Sequence, residues 1–123
     1  MSILKRSLFT VSLVVLTVIT MAQSVEDAGA KYNEGNEFYK NKDYSNAVKS
    51  YEAALNMANK AGADAGDLKG SIEKQLMNAY YRNGLAKYKG RKFDAAIALL
   101  EKGYALAGKL NDAEMKDNTS SYI

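Results

Sequence analysis

The feature that most restricts the fold of this chain is an internal duplication. Tyr32-Asn33-Glu34-Gly35 is matched by Tyr81-Arg82-Asn83-Gly84, and Tyr39-Lys40 by Tyr88-Lys89. The match runs on through Tyr44 with Phe93, Ala47 with Ala96, Val48 with Ile97 and Tyr51 with Leu100. Every pair stands 49 residues apart. A constant offset across so many positions marks two copies of one supersecondary unit, each with an apolar face that the other helps to cover.

The period within each copy is helical. Val25, Ala28, Tyr32, Gly35 and Phe38 step by three and four residues, as one stripe of a helix does. Tyr44, Ala47, Val48, Tyr51, Ala54, Leu55 and Ala58 form a second stripe. Leu68, Ile72, Leu76, Ala79 or Tyr80 and Gly84 form a third, and Phe93, Ala96, Ile97, Leu100, Tyr104, Ala107 and Leu110 a fourth. Short breaks fall at Asn41-Lys42-Asp43 and Gly90-Arg91-Lys92, where Asn41 and Gly90 are expected to take left-handed backbone and Asp43 to cap the next helix. A wider break spans Gly62 to Gly66, with Asp64 or Asp67 available as a cap. Four antiparallel helices are therefore predicted. Gly35 and Gly84 each cost about 1 kcal/mol relative to Ala inside a helix. Their equivalent placement predicts close helix approach, with Ala47 and Ala96 as the small partners.

These residues resemble the tetratricopeptide repeat family. Its pattern sets a Gly four residues after an aromatic, a second aromatic three residues later, then an Ala and a large residue four beyond it. Gly35, Phe38, Ala47 and Tyr51 fill these places in the first copy, and Tyr80, Gly84, Ala96 and Leu100 in the second, with Phe93 closing the turn. The sequence departs from the pattern at Lys31, Glu34, Asn83 and Lys87, and Asn59 and Gly108 stand where the closing Pro is expected. With no Pro in the chain, the helices can run on past the family's usual repeat of about 34 residues. The resemblance implies an all-α fold of two stacked helix-turn-helix hairpins, a right-handed α-solenoid, with one hairpin over residues 23–62 and the other over 63–110.

Composition narrows the chemistry. The chain has no His, no Cys and no Trp, so a catalytic imidazole, a thiol nucleophile, a disulfide framework and a Cys/His zinc site are excluded. Asp64, Asp67 and Glu73 lack the alternating ligand pattern of a calcium loop, and no Gly-rich phosphate loop is present. We expect no enzyme activity, cofactor or metal. Setting aside Lys5 and Arg6, the chain's 17 basic residues fall to 15 against 14 acidic ones, a balance that gives no support to nucleic-acid binding.

The first 22 residues differ from the rest. Lys5 and Arg6 precede an uncharged run from Ser7 to Met21, and Thr20-Met21-Ala22 offers small residues where a signal peptidase cuts. This is the pattern of a secretory signal peptide over residues 1–22. An uncleaved anchor is the alternative, though the run falls short of the ~20 apolar residues that cross a bilayer comfortably. Either way residues 23–123 are expected to be exported, to the bacterial periplasm or cell envelope, with membrane contact only through an uncleaved signal segment.

In the family resembled, the first helix of each hairpin lines a concave groove that holds a peptide or a partner helix. Carried onto matching positions, this implies a groove of Tyr32, Asn36, Tyr39 and Lys40 from the first hairpin and Asn78, Tyr81, Arg82, Leu85, Tyr88 and Lys89 from the second. Asn can bond an extended backbone, Tyr supplies flat contact area, and Lys favours acidic groups. The same tyrosines can equally be packing residues whose hydroxyls reach water, and Lys40 and Lys89 solvated helix ends. The expected role is that of an exported scaffold or adaptor. The alternative is the N-terminal stacking region of a longer envelope protein whose activity lies downstream. Residues 111–123 read as a polar tail, without a closing helix, or as the start of a further repeat, and an uncovered apolar face there suggests self-association or a partner.

Overall fold

The structure, a computed structural model, describes residues 23–123; the segment read as a signal peptide, residues 1–22, lies outside the described residues. Among the described residues the secondary structure is helical and no strand occurs. Helix α1 covers 23–40 and α2 spans Tyr44–Ala61. A 3-10 turn, Gly62–Ala65, leads into α3, Gly66–Lys89; α4 follows at Phe93–Lys109 and a short α5 at Ala113–Ser120. Helices α1 to α4 pack antiparallel in sequential pairs.

The turns explain the antiparallel order. Asp43 N–H donates to Phe38 O and Lys42 N–H to Tyr39 O; Lys92 N–H to Lys87 O and Arg91 N–H to Tyr88 O repeat the pattern. This is the paired bonding in which the residue just past the helix adopts left-handed backbone. That residue is Lys42 and Arg91, both at φ 61°, and not Asn41 or Gly90 as the sequence suggested. Gly90 keeps φ −80°. The bonding pattern, not the residue with the easiest backbone, selects the position. A third turn of the same kind closes α4, with Asn111 at φ 56° and Asp112 N–H bonded to Ala107 O.

Helix starts differ in quality. Asp43 caps α2 by accepting from Asn46 N–H at 3.2 Å, and Asp112 caps α5 by accepting from Met115 N–H at 2.9 Å. Neither Asp64 nor Asp67 caps α3, because the 3-10 turn runs straight into that helix and its N-cap position falls on Ala65. The real break is Gly62, at φ 67° and ψ −136°, a combination outside the left-handed helical well that asks for a residue without Cβ.

Two buried clusters hold the helices together. One joins Ala28 of α1, Ala54, Ala58 and Ala61 of α2, Ala65 of the 3-10 turn and Ile72 of α3. The other joins Ala47, Val48 and Tyr51 of α2 to Leu76, Ala79 and Tyr80 of α3. Alanine dominates, and its short side chain lets the helices approach closely enough for many small dispersion contacts to add up. Helix α3 packs against both α2 and α4, which is why its buried face is wide enough to take in Glu73, Met77 and Asn83 besides the predicted stripe.

The glycines act at the predicted places through different partners. A Cβ on Gly35 would lie 2.6 Å from Cδ1 and Cε1 of Tyr51, and one on Gly84 would lie 2.8 Å from Cγ of Leu100. The close approach is real: the large residue at the duplicated position fills each gap, the Ala96 carbonyl oxygen stands 3.5 Å from where a Cβ on Gly84 would lie, and Ala47 is not among the nearest groups at Gly35. An alanine is too short to occupy the space that a glycine opens. Two members of the fourth stripe, Phe93 and Tyr104, are exposed and lie outside the core.

Residues 111–120 correct the expectation of a polar tail without a closing helix. Helix α5 packs on α4, with Thr119 fully buried and its Cγ2 3.5 Å from where a Cβ on Gly103 would stand. Thr119 bonds back to Met115 O at 2.8 Å, so its polar atom is satisfied within the helix and its methyl group faces α4. Sequence reading missed this helix because its one buried residue leaves no apolar period to detect.

Candidate partner-binding surface

The ten residues assigned to a groove lie at three- and four-residue spacing along α1 and α3. In α1, Tyr32 packs against both buried clusters, with its ring 5.9 Å from that of Tyr51. Asn36 accepts a hydrogen bond of 2.6 Å from the Tyr51 hydroxyl. Burial, followed by the nearby Tyr32 and Tyr39 hydroxyls, pushes the Tyr51 phenol up to about 12. Tyr39 packs on the second cluster and meets the Tyr44 ring edge-on at 5.2 Å. These three are therefore half-buried anchors of α1 on α2 that keep one side open, while Lys40 is exposed.

In α3, Asn78, Tyr81 and Leu85 are half-buried, and Arg82, Tyr88 and Lys89 exposed. Tyr88 meets Phe93 edge-on at 5.3 Å and Tyr122 at the same distance. The structure thus gathers Tyr32 and Asn36 around one buried hydroxyl and Tyr88 into a ring cluster at the far end of α3. It shows α1 and α3 joined through the shared clusters behind them.

A second surface went unnoticed in the sequence. Between α2, α3 and α4 lies an open apolar cleft of about 360 Å³, floored by Leu55, Leu76 and Leu106 and bordered by Tyr80, Lys102 and Lys109. Lys102 lies 5.8 Å above the Tyr80 ring. Burial, then the charge of Glu52 and a hydrogen bond to it, raise the Tyr80 hydroxyl well above its ordinary range, so the phenol stays neutral. Lys109 bonds Glu73 at 3.2 Å, and Lys69 stands 4.0 Å from the same carboxylate. Glu73 is almost fully buried while Lys109 is exposed and Lys69 half-buried, so the pair neutralises an acid that would otherwise be desolvated without a partner. Lys102, Ala105, Leu106 and Lys109 share one face of α4 by spacing. Their meeting with Leu55 and Leu76 depends on tertiary packing alone, which no local pattern encodes.

Among the described residues, no group of acidic side chains is placed to hold a metal ion, and no helix is long and apolar enough to cross a membrane. Comparison with models of known protein families gives no match, and comparison with curated proteins gives none either.

Proposed function

We propose that residues 23–110 are two stacked hairpins of the tetratricopeptide type, wound as a right-handed superhelix, and that they act as an exported scaffold or adaptor. The partner is a peptide or helix laid along the face of α1 and α3. The observation that carries this reading is a duplicated stripe: Tyr32, Tyr39 and Lys40 on α1 recur as Tyr81, Tyr88 and Lys89 on α3, half-buried or exposed, over a core duplicated in the same register. Rings already anchored on one side present flat area at little entropic cost, which suits recognition. Asn36, its carbonyl fixed by Tyr51, keeps amide protons to donate to an extended backbone.

Export rests on the basic, then apolar, then small-residue pattern of the first 22 residues. The binding role is tested by capturing a partner from native envelope with the wild-type chain and then titrating it against Tyr81→Ala/Lys89→Glu. At least a tenfold weakening is expected, about 1.4 kcal/mol, with the helical circular dichroism unchanged. An unaltered affinity would remove the α1–α3 face from consideration.

A further inference from the structure

The two hairpin turns share a backbone but not a charge. Each carries an edge-to-face ring pair at duplicated positions, Tyr39 with Tyr44 at 5.2 Å and Tyr88 with Phe93 at 5.3 Å. Around the first pair, Glu37 and Asp43 offset Lys40 and Lys42. In the second turn Ala86 stands for Glu37, Lys87 for Phe38 and Lys92 for Asp43, while Lys89 and Arg91 keep the remaining cations. The same geometry therefore carries no net charge in one copy and four positive charges in the other. Asp94 is the one acid between residues 75 and 100.

Folding does not explain the change. Lys92 occupies the N-cap of α4 without a side-chain cap bond, where its counterpart Asp43 caps α2. It also sets a cation at the positive end of a helix dipole. The rings at this end are exposed as well: Phe93 is 48% accessible, Tyr88 40% and Tyr122 38%, and the Tyr122 ring lies 5.3 Å from that of Tyr88. Three contiguous rings thus meet at a turn whose own residues include Lys87, half-buried, and Lys89, Arg91 and Lys92, all exposed.

We propose that this end of the molecule docks onto an anionic phospholipid bilayer, with its rings at headgroup level and its four cations against the lipid phosphates. Tyrosine rings, apolar in body and polar at the hydroxyl, settle at that depth with the Phe93 ring packed beside them, and neighbouring basic residues are drawn to anionic headgroups. A projecting turn suits a fluid surface that moulds to it, whereas an acidic peptide is held by a groove. This surface shares Tyr88 and Lys89 with the partner-binding face but extends past it onto the turn, and its test uses Arg91, Lys92 and Phe93, none of which belongs to that face.

The experiment is co-sedimentation of the full chain with vesicles of phosphatidylcholine alone or mixed with phosphatidylglycerol. A basic residue near an anionic surface contributes roughly fivefold to binding, so Arg91→Asn/Lys92→Gln should weaken binding to the mixed vesicles about 25-fold. Asn is chosen because it tolerates the left-handed backbone at position 91. Lys42→Asn/Lys60→Gln, which strips two exposed positive charges from outside this turn, should leave binding unchanged. Equal losses from the two doubles would overturn the proposal, as would a loss of the same size on neutral vesicles. Because the chain has no Trp, Phe93→Trp supplies a single reporter. Its emission should move to the blue with mixed vesicles and stay put with phosphatidylcholine alone. No shift with mixed vesicles overturns the reading, and an equal shift with soluble polyglutamate reassigns the tip to an acidic protein segment and overturns it too.

Discussion

Replacing Lys92 by Asp should stabilise the protein. At the N-cap of α4, Lys92 has φ −89° and ψ 68°, and at the N-cap of α2, Asp43 has φ −87° and ψ 73°. The backbone is already shaped for a capping carboxylate. By the duplication, Ala95 N–H stands where Asn46 N–H donates to Asp43 at 3.2 Å, so the new carboxylate has a donor to accept from. Restoring a cap is worth about 1 kcal/mol. Exchanging a cation for an anion at the positive end of the helix adds about 0.3 to 1 kcal/mol at low salt. The sum, about 1.3 to 2 kcal/mol, corresponds to a rise in Tm of about 5 to 15 °C for a domain of this size. The assay is thermal melting followed by circular dichroism, at low and at high salt. Salt should erase only the dipole share, since the cap hydrogen bond is short-ranged. The reciprocal change, Asp43→Lys, should lower Tm by a similar amount. An unchanged or lower Tm for Lys92→Asp would refute the argument that α4 lacks a cap its backbone could accept. Lys92→Asp should also weaken adhesion to anionic vesicles, so stability and docking would trade against each other at one residue.

Further expectations concern the core. Gly35→Ala gains about 1 kcal/mol of helix propensity, but its Cβ would meet the rigid, fully buried Tyr51 ring at 2.6 Å, and overpacking of that kind costs about 1 to 3 kcal/mol. A lower Tm is expected, whereas Gly29→Ala, with nothing within 4 Å, should raise it; the opposite order would show that the ring swings aside. Tyr51→Phe removes a 2.6 Å bond to Asn36 and should cost about 0.5 to 1.5 kcal/mol in denaturant titration. The Tyr51 phenol titrates near the ordinary tyrosine value of 10.0 when unfolded and is pushed up to about 12 when folded. The neutral form is therefore favoured by folding: its contribution is complete below pH 10 and disappears as pH rises through 12. Tyr51→Phe should lose less stability than the wild type across that window, and identical alkaline profiles would exclude this tyrosine as a source of the loss.

What local sequence determined is the helical skeleton and its duplication. Apolar residues at three- and four-residue spacing specify which face of a helix is buried without reference to any neighbour, and the constant offset specifies that two hairpins share one plan. Gly35 and Gly84 could be read as contact points because a mid-helix glycine is unfavourable unless something must come close. Tertiary packing decided the rest. It placed Tyr51 and Leu100 over the glycines, since which side chain fills a gap depends on crossing geometry. It buried Thr119 through one methyl group, a contact too small to leave a period. It opened the cleft between Leu55, Leu76 and Leu106, whose walls come from three successive helices that local pattern treats separately. It also left Phe93 and Tyr104 outside the core that the pattern of α4 had assigned them. Periodicity names the face that turns inward, but only the positions of neighbouring helices decide how far along it the cover extends.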